Sequence, residues 1–309
     1  MYMTTGRSKA RQRVLVIANP TAGHANRARF KAIIERIEGH GSAVTTYETK
    51  ATGDAERWVR NIDRAAFDVI AAAGGDGTIN EVLNGLPANA PPLAILPLGT
   101  VNVLAREIAL PPSIDAIADA VAFGPARPIN LGEVNGRRFA VMASVGLDAR
   151  AVEGVNLNLK RHIGKWAYLF ETLRQIILSL PSAFQLRLDD AESEAYGVVV
   201  ANGRHYGGRY VTSPAAHLEK PSLDVCRLTR PGRLAAPGYL LSLFLGRFAL
   251  RTDVEIVEAT DLEILGPVGA PVQADGDILC RLPATIRILP SAVDLVFPAT
   301  AKDARAHVP

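Results

Sequence analysis

The sequence predicts an α/β domain with a parallel sheet and flanking helices, followed by a mainly antiparallel β-sandwich domain. Its 309 residues exceed what one hydrophobic core usually holds. Continuous apolar strands alternate with helical segments over residues 13–133, which is the pattern of a parallel sheet wrapped by helices. After about residue 130, short strand-like segments follow one another between turn signals, as in antiparallel sandwiches. We therefore expect domains at 1–130 and 131–309, and a return of the last strand to the first domain stays open.

The strands of the first domain are predicted from apolar runs, and its helices from apolar residues at helical spacing. Val14–Ala18 is a continuous apolar run, which favours a strand buried on both faces. Further strands are predicted at 43–47, 68–73 and 93–96. Helices are predicted at 26–37, 54–62, 78–86 and 102–108. Asp54 is expected to cap the second of these helices.

The second domain is predicted to consist of short strands with two helical interruptions. Strands are expected at 138–143, 185–188, 197–201, 223–228, 254–257, 261–265 and 285–289. The helical segments are expected at 163–180 and 234–248. Turn residues between the strands favour an antiparallel arrangement.

Composition excludes several classes of protein. The net charge is only +3, so the concentrated basic surface of a nucleic-acid-binding protein is not expected. The two cysteines show no CxxC spacing, which favours a reducing, cytoplasmic compartment. No apolar run reaches the roughly 18 to 20 residues of a spanning helix. The protein is therefore expected in the cytoplasm, and a peripheral position at the inner face of the membrane stays open.

Glycines and one carboxylate follow the third predicted strand, immediately before a helix. The segment is Gly74-Gly75-Asp76-Gly77-Thr78. Glycine lets backbone N–H groups approach a phosphate, and the helix N-terminus adds partial positive charge. Asp76 then makes sense as a group that orients Mg²⁺ or accepts a proton from an attacking hydroxyl. A tight turn with an aspartate helix cap is the alternative that needs no ligand.

Two more small, polar, glycine-containing loops follow predicted parallel strands. Residues 19–23 read NPTAG, and residues 97–102 read PLGTVN. Because ligands bind at the carboxyl ends of parallel strands, three such loops are expected to converge on one crevice. Three unrelated turns remain the alternative.

Other phosphate and nucleotide motifs are not met. The sequence contains no GxxxxGK[ST] and no HRDxxxxN, and a dinucleotide fingerprint would need glycine where Asn80 stands. The histidines show no metal-ligand spacing. The three loops therefore indicate a different kind of phosphate site.

The segments NPTAG at 19–23, GGDGTINEVLNGL at 74–86 and PLGTVNVLARE at 97–107 resemble the catalytic domain of diacylglycerol kinases. That superfamily includes bacterial lipid kinases, sphingosine kinases and ceramide kinases, and it shares GGDGT with NAD kinases. The resemblance extends to 200–203, 206–208 and 274–277. It implies an NAD kinase-like fold and ATP-dependent transfer of the γ-phosphoryl group to a lipid hydroxyl. The acceptor stays open among diacylglycerol, a sphingoid base, ceramide and related alcohols.

The resemblance also assigns site residues by position. It implies ATP and Mg²⁺ as cofactors, with Asp76 near the metal. Relatives use the acid of a C-terminal Asp-Gly-Glu as general base, and Asp277 stands there with a shorter reach, so either the substrate sits closer or Asp76 shares the role. The nucleotide-binding positions implied are Asn19, Gly23, Thr49, Gly74, Gly75, Asp76, Gly77, Thr78, Ile79, Asn80, Glu81, Gly99, Thr100 and Asn102.

Two positions depart from the family pattern. Val103 stands where many bacterial diacylglycerol kinases have aspartate, which weakens the assignment of diacylglycerol as acceptor. Pro221-Ser222 stands where relatives often bind a structural metal through an Asp-Gly turn, so no such ion is predicted.

The lipid is expected to meet apolar helices of the second domain. Residues 160–180 form a basic, amphipathic segment that fits a membrane interface or an acyl groove, or that simply packs on the sandwich. Residues 239–245 could wall the same groove or belong to the core.

The expected partners are a lipid substrate and, transiently, a membrane surface, with a homodimer through an exposed strand edge as a weaker expectation. An NAD kinase and a catalytically silent nucleotide- or lipid-binding protein remain rival hypotheses.

Overall fold

The computed structural model describes residues 10–21, 27–154, 182–188, 191–232 and 235–298. The chain divides into two compact units, one of Met1–Ile129 and Ser291–Pro309, the other of Asn130–Pro290. Two strands, β5 (Ala126–Val134) and β18 (Ala284–Val296), pass from one unit into the other.

The first unit contains a parallel sheet. Its strands are β1 (Arg13–Ala18), β2 (Ala43–Glu48), β3 (Val69–Gly74) and β4 (Leu93–Pro97). They lie in the order β2-β1-β3-β4, and the end of β18 pairs in parallel with β4 through Leu295 and Leu93. This confirms the predicted α/β architecture of the N-terminal part.

Helices cover the sheet of the first unit. They are α1 (Arg27–Gly39), α2 (Asp54–Arg60), α3 (Asp76–Gly85), α4 (Val103–Glu107) and α5 (Ile114–Phe123). Helices α1 and α5 pack together, and their apolar side chains share a core with Val14 and Val16 of β1. Leu15 and Ile17 point to the other face and are also fully buried. Burial on both faces is why β1, β3 and β4 are nearly continuous apolar runs.

The second unit is an antiparallel β-sandwich. One sheet runs in the order β14 (Val254–Ala259), β13 (Leu223–Leu228), β10 (Val198–Ala201), β7 (Met142–Val145), β16 (Pro271–Ala274) and β17 (Asp277–Arg281). The other contains β18, β15 (Asp261–Gly266), β8 (Phe184–Leu188) and β9 (Ala191–Ala195), and β5 with β6 (Arg137–Phe139) joins it through β18.

Side chains from both sheets form one core, which includes Phe139, Val145, Phe184, Leu262 and Ile286. This arrangement confirms the predicted sandwich. A short hairpin, β11 (His205–Tyr206) and β12 (Tyr210–Val211), and two helices, α6 (Leu147–Gly154) and α7 (Ala235–Phe244), complete the described part of this unit.

Asp54 does not cap α2 as predicted. The residue before the helix is Gly53, in the left-handed region with φ 82°, and it has no side chain that could cap the helix. Asp54 is the first helical residue, and its Oδ2 accepts hydrogen bonds from the N–H groups of Lys50 and Ala51, each at 2.8 Å. Its carboxylate therefore fastens the preceding loop instead of the helix end.

The strand predicted at 138–143 is interrupted in the structure. Residues 137–139 form β6 and residues 142–145 form β7. Between them the N–H groups of Ala140 and Val141 donate to the carboxylate of Asp275, at 2.6 and 3.0 Å. Because those N–H groups serve a side chain, the regular strand pairing is broken there.

Helix α5 lies where the sequence analysis assigned no element. Ser113 caps it by accepting the N–H of Ala116 at 3.2 Å, and Ile117 and Val121 are buried one turn apart. A serine followed by apolar residues at helical spacing is the signal that would have found it. The predicted helical segment at 163–180 lies outside the described residues.

Candidate active site

The three predicted loops lie side by side at the carboxyl ends of β1, β3 and β4. Strand β3 pairs with both β1 and β4, so their ends are neighbours. The N–H of Asn19 donates to the carbonyl of Ala73 at 3.0 Å. The N–H groups of Leu98 and Gly99 donate to the carbonyl of Gly74 at 2.9 and 3.1 Å. Backbone hydrogen bonds thus join all three loops at one edge of the sheet.

Asn19 connects the first loop to the N-terminus of α3. Its Nδ2 donates to Oγ1 of Thr78, in the first turn of that helix, at 3.3 Å. Its Oδ1 accepts from the N–H and the hydroxyl of Thr21, at 3.0 and 2.8 Å. The Asn19 side chain therefore fixes both the conformation of the first loop and the distance between that loop and α3. Gly23, another predicted site residue, lies outside the described residues.

The second and third loops approach so closely that glycine is required. A Cβ atom added at Gly99 would lie 2.5 Å from Cα of Gly75. A Cβ atom added at Gly74 would lie 2.4 Å from Oγ1 of Thr78. Gly75 itself has more space, because its added Cβ would be 3.5 Å from Gly99. Close packing of the two loop backbones therefore requires glycine at position 99, and the Thr78 side chain requires it at position 74.

Asn102 closes the third loop. It adopts a left-handed backbone conformation with φ 51°, which asparagine tolerates better than most residues. Its Oδ1 accepts the N–H of Gly99 at 3.0 Å, and its Nδ2 donates to the carbonyl of Gly99 at 2.8 Å. The side chain thus shapes the loop, and a nucleotide contact from it stays a prediction.

Asp76 is the first residue of α3, and its side chain reaches the next helix in the sequence. Its Oδ1 accepts the N–H of Val103, the first residue of α4, at 2.7 Å. The aspartate therefore fixes the start of α4 instead of capping its own helix. Val103, the departure from the family pattern, contributes its backbone N–H to this contact.

Some of the other predicted nucleotide-binding residues are buried or bound to neighbouring protein groups, and others are exposed. Ile79 is 2% exposed and belongs to the core, and Glu81 accepts the N–H of Ala55 at 3.3 Å through Oε2. Asn80 is buried, and its Oδ1 accepts from Asn84 at 3.1 Å. By contrast, Gly77, in the first turn of α3, and Thr100, on the third loop, are exposed. Thr49 is buried, and its N–H extends the β1–β2 pairing to the carbonyl of Ala18 at 2.8 Å.

Asp277 lies in the second unit, at the end of an acidic turn between β16 and β17. The turn has left-handed residues at Asp275, φ 48°, and Gly276, φ 92°. The Asp275 carboxylate accepts three backbone N–H groups, those of residues 140–142, at 2.6 to 3.1 Å. Asp277 is exposed at the start of β17. Asp275 therefore holds the turn in place, and Asp277 presents its carboxylate at the surface of this unit.

A partly buried polar network adjoins this turn, and the sequence analysis did not identify it. Asp148 accepts hydrogen bonds from Ser144 and Tyr206, and from Nε2 of Gln273 at 2.9 Å. Oε1 of Gln273 accepts the N–H of Gly276 at 3.0 Å. The network therefore reaches from the start of α6 to the turn that carries the candidate base.

Burial dominates the electrostatics of this network. It raises the pKa of the Asp148 carboxyl group, although the three hydrogen bonds oppose that change. Burial, and then the neighbouring Asp148, raise the pKa of Tyr206 well above its ordinary value. The sequence signal was a polar residue at a core position, Gln273, between buried neighbours on β16. The role of such a residue depends on contacts with α6 and the β11–β12 hairpin, which are distant in sequence.

Lys220 occupies the region where relatives were expected to bind a structural metal. Its Nζ lies 2.5 Å from Oδ1 of the buried Asp224 and 2.9 Å from Oε1 of Glu258. Although burial opposes it, hydrogen bonds to these two carboxylates raise the pKa of Lys220. Among the described residues, no group of three or more His, Cys, Asp or Glu side chains is arranged to hold a metal ion.

None of the helices in the described ranges has both the length and the apolar character needed to span a membrane.

Comparison with known proteins matches both parts of the chain. The model of the diacylglycerol kinase catalytic domain matches residues 13–134. The model of the YegS C-terminal NAD kinase beta sandwich-like domain matches residues 141–297. These ranges contain the three loops and the acidic turn, respectively.

Relatives and a solved structure agree with these matches. Diacylglycerol kinase of Bacillus subtilis is 32% identical over 225 residues, 71% of this chain and 74% of that protein. A Pseudomonas aeruginosa protein named "Probable lipid kinase YegS-like" is 32% identical over 290 residues, 93% of this chain and 94% of that protein. A diacylglycerol kinase structure from Bacillus anthracis has TM-score 0.74 at 25% identity, covering 94% of this chain and 98% of that one. The chain belongs to the diacylglycerol kinase family.

Proposed function

We propose that the protein is an ATP-dependent lipid kinase that transfers a phosphoryl group to the hydroxyl of a lipid. The observation that carries the proposal is the assembly of three glycine-containing loops around the N-terminus of α3. Membership of a kinase family supports phosphoryl transfer, and relatives named diacylglycerol kinase or lipid kinase support a lipid acceptor.

The loop geometry fits a triphosphate. Gly75 and Gly99 let two backbones approach each other without side chains between them. An α-helix does not use the N–H groups of its first turn for its own hydrogen bonds, and its dipole favours anions there. The start of α3 therefore supplies donors and positive potential where the phosphates would lie. Bound ATP with Mg²⁺ would supply an activated phosphoryl group whose charge is partly neutralised.

Asp76 is the carboxylate that would hold Mg²⁺. Its Oδ1 already accepts the N–H of Val103, which sets the orientation of the side chain. A magnesium ion commonly takes only one or two protein carboxylates and completes its shell with phosphate and water oxygens. A single preoriented aspartate beside the loops is therefore a suitable ligand set.

We assign Asp277 the role of general base toward the lipid hydroxyl. Its carboxylate is exposed at the end of a turn that Asp275 and Gln273 hold by hydrogen bonds. A base positioned to accept a hydroxyl proton contributes roughly 10²- to 10⁴-fold to such reactions. Asp76 would share this role if the shorter Asp277 does not reach the hydroxyl.

We further propose that the protein works in the cytoplasm and visits the inner membrane surface, because its substrate would be a lipid. The acceptor is a hydroxyl on an apolar tail, and the candidates are diacylglycerol, monoacylglycerol, a sphingoid base, ceramide, phosphatidylglycerol and a polyprenol.

A panel of acceptors tests the proposal. Purified protein is incubated with Mg²⁺ and γ-labelled ATP, with each lipid in mixed micelles, and with NAD in a separate arm. Products are identified by mass spectrometry. A phosphorylated lipid supports the lipid kinase, and labelled NADP instead would support an NAD kinase. Nucleotide binding without transfer to any acceptor would support a catalytically silent protein.

A further inference from the structure

Helix α7 leaves large apolar side chains on the surface of the second unit. Leu241, Phe244 and Leu245 are 59%, 43% and 61% exposed, and Leu250, shortly after the helix, is 78% exposed. Leu241 and Leu245 are four residues apart, so they share one helical face with Phe244. We call these four residues the α7 patch.

The exposure of the α7 patch does not reflect a loosely attached helix. Tyr239 and Leu243, on the opposite side of α7, are buried. The guanidinium of Arg251 lies 4.7 Å from the centroid of the Tyr239 ring and donates to the carbonyl of Gly238 at 3.1 Å. Arg251 also binds Asp253 through two hydrogen bonds of 2.7 Å. These contacts anchor one face of the helix and leave the other directed outward.

Arginines border the patch. Residues 226–252 contain no aspartate or glutamate and five arginines, of which Arg227 and Arg251 pair with Glu255 and Asp253. Arg247, two residues after Leu245, is exposed and makes no ion pair among the residues that the structure describes. Arg209 is also exposed, and its guanidinium lies 5.8 Å from the centroid of the Tyr210 ring, which contacts Phe244 edge to face at 5.0 Å. Two arginines therefore border the apolar surface.

Contacts within the second unit connect the patch to the acidic turn. Tyr210, which touches Phe244, pairs with Tyr206 in the β11–β12 hairpin. The Tyr206 hydroxyl donates to Asp148, and Gln273 connects Asp148 to the N–H of Gly276. A continuous chain of contacts thus connects the α7 patch to the turn that carries Asp277.

We propose that the α7 patch, with Arg209 and Arg247, is the surface that docks the protein onto an anionic lipid bilayer. Apolar side chains insert at the boundary between headgroups and acyl chains, and flanking arginines interact with anionic headgroups. A protein partner or a second copy would bury this patch equally well, but the absence of acidic residues over 226–252 favours an anionic surface. This assignment rests on the proposed function, because a lipid kinase must reach a substrate held in a membrane.

Vesicle flotation tests the proposal with three variants of the full chain. The first variant carries Leu241→Ser and Leu245→Ser, and the second carries Arg209→Gln and Arg247→Gln. The matched control is Val268→Ser, which removes an 82% exposed apolar residue elsewhere in the same unit. Vesicles are either pure phosphatidylcholine or a mixture with phosphatidylglycerol. Phosphoryl transfer to a water-soluble short-chain diacylglycerol is measured in parallel, together with the molar mass in solution.

The native protein is expected to bind the anionic vesicles, and the binding should weaken with added salt. The leucine variant should lose roughly tenfold or more in partition coefficient, since two partly inserted leucines are removed. The arginine variant should lose its preference for anionic vesicles, and the control should behave like the native protein. Transfer to the soluble acceptor should be unchanged in the arginine variant and in the control.

Native vesicle binding by the leucine variant would overturn the proposal. So would a change from dimer to monomer in that variant, which would make the patch a contact between copies. A loss of thermal stability with unchanged vesicle binding would show that the chain itself covers these leucines. If no lipid of the acceptor panel is phosphorylated while vesicle binding follows the expected order, the docking surface stands and the kinase assignment fails.

Discussion

Oδ1 of Asp76 accepts the backbone N–H of Val103 at 2.7 Å. This contact gives the aspartate a structural role at the start of α4 that is separate from any role of its charge. The two roles can be distinguished, because asparagine keeps the acceptor oxygen and loses the negative charge.

Asp76→Asn should leave stability nearly unchanged, whereas Asp76→Ala should lower the free energy of unfolding by about 1 kcal/mol through loss of the N–H acceptor. Both variants should lose phosphoryl transfer if the charge is needed at the metal. Urea unfolding and turnover with Mg²⁺-ATP measure the two effects. A fully active Asp76→Asn enzyme would remove the charge from the mechanism.

The two facing glycines should respond differently to alanine. Gly99→Ala places a methyl group 2.5 Å from Cα of Gly75, so the loops must move apart. We expect a loss of about 1–3 kcal/mol in the free energy of unfolding. Gly75→Ala, with φ −93° and an added Cβ 3.5 Å from Gly99, should be within about 0.5 kcal/mol of the native protein.

The informative comparison is nucleotide affinity in these variants. Gly75→Ala should bind ATP more weakly despite native stability, because its methyl group stands between the loop backbone and the phosphates. Isothermal titration calorimetry and thermal unfolding give both quantities. Native affinity in Gly75→Ala would show that this backbone does not approach the nucleotide.

Removal of Gln273 should affect the acidic turn and the buried carboxyl together. Gln273→Leu leaves Asp148 without one donor and the N–H of Gly276 without its acceptor. We expect a loss of about 1–3 kcal/mol in stability. If Gln273 positions the turn that carries Asp277, kcat should fall while the Kd for ATP stays native. Equal kcat values at temperatures where both proteins are folded would limit Gln273 to a structural role.

The pH dependence of the free energy of unfolding should reveal the raised pKa of Asp148. Its folded pKa is raised, so the folded protein binds more protons than the unfolded chain. The resulting stability is present at low pH, and it is lost as pH rises from the ordinary value of 3.8 through the folded pKa. Relative to Asp148→Asn, the native protein should therefore become less stable with rising pH in that window. A constant difference between the two proteins across the window would contradict the raised pKa.

Removal of Lys220 should lower the free energy of unfolding, because it leaves the buried Asp224 carboxylate without its positively charged partner. Asp224 is 1% exposed, and Lys220→Met leaves its carboxylate with Ser213 but without the ammonium group. Breaking a buried ion pair on one side costs about 3–5 kcal/mol. Adding Asp224→Asn should recover part of this loss. Denaturant unfolding of the single and double variants measures the coupling, and additive losses would argue against it.

The sequence predicted the architecture because its signals are local. Val14–Ala18 and the segment before Gly74 are apolar on both faces, and glycines mark the ends of the parallel strands. The resemblance added Asp277, which no local pattern identifies.

The sequence could not predict contacts between distant segments. The bond between Asp76 and Val103, the three N–H groups on Asp275 and the network of Asp148 with Gln273 join residues 27 to 135 positions apart. The error at Asp54 has a local cause, because the N–H groups of Lys50 and Ala51, just before the helix, bind the carboxylate that was expected to cap it. The exposure of Leu241 likewise depends on which face of α7 the sandwich covers.

The most direct test of the account is Asp277→Asn, assayed for nucleotide binding and for transfer of γ-phosphate to the best lipid acceptor in the same preparation. The exposed position of Asp277 makes a folding defect unexpected, and Asp277→Glu, which restores the acid of relatives, is the matched control. We expect ATP affinity to stay native in all three proteins. Transfer should fall roughly 10²- to 10⁴-fold in Asp277→Asn and persist in Asp277→Glu. A native transfer rate in Asp277→Asn, or no nucleotide binding by the native protein, would contradict the account.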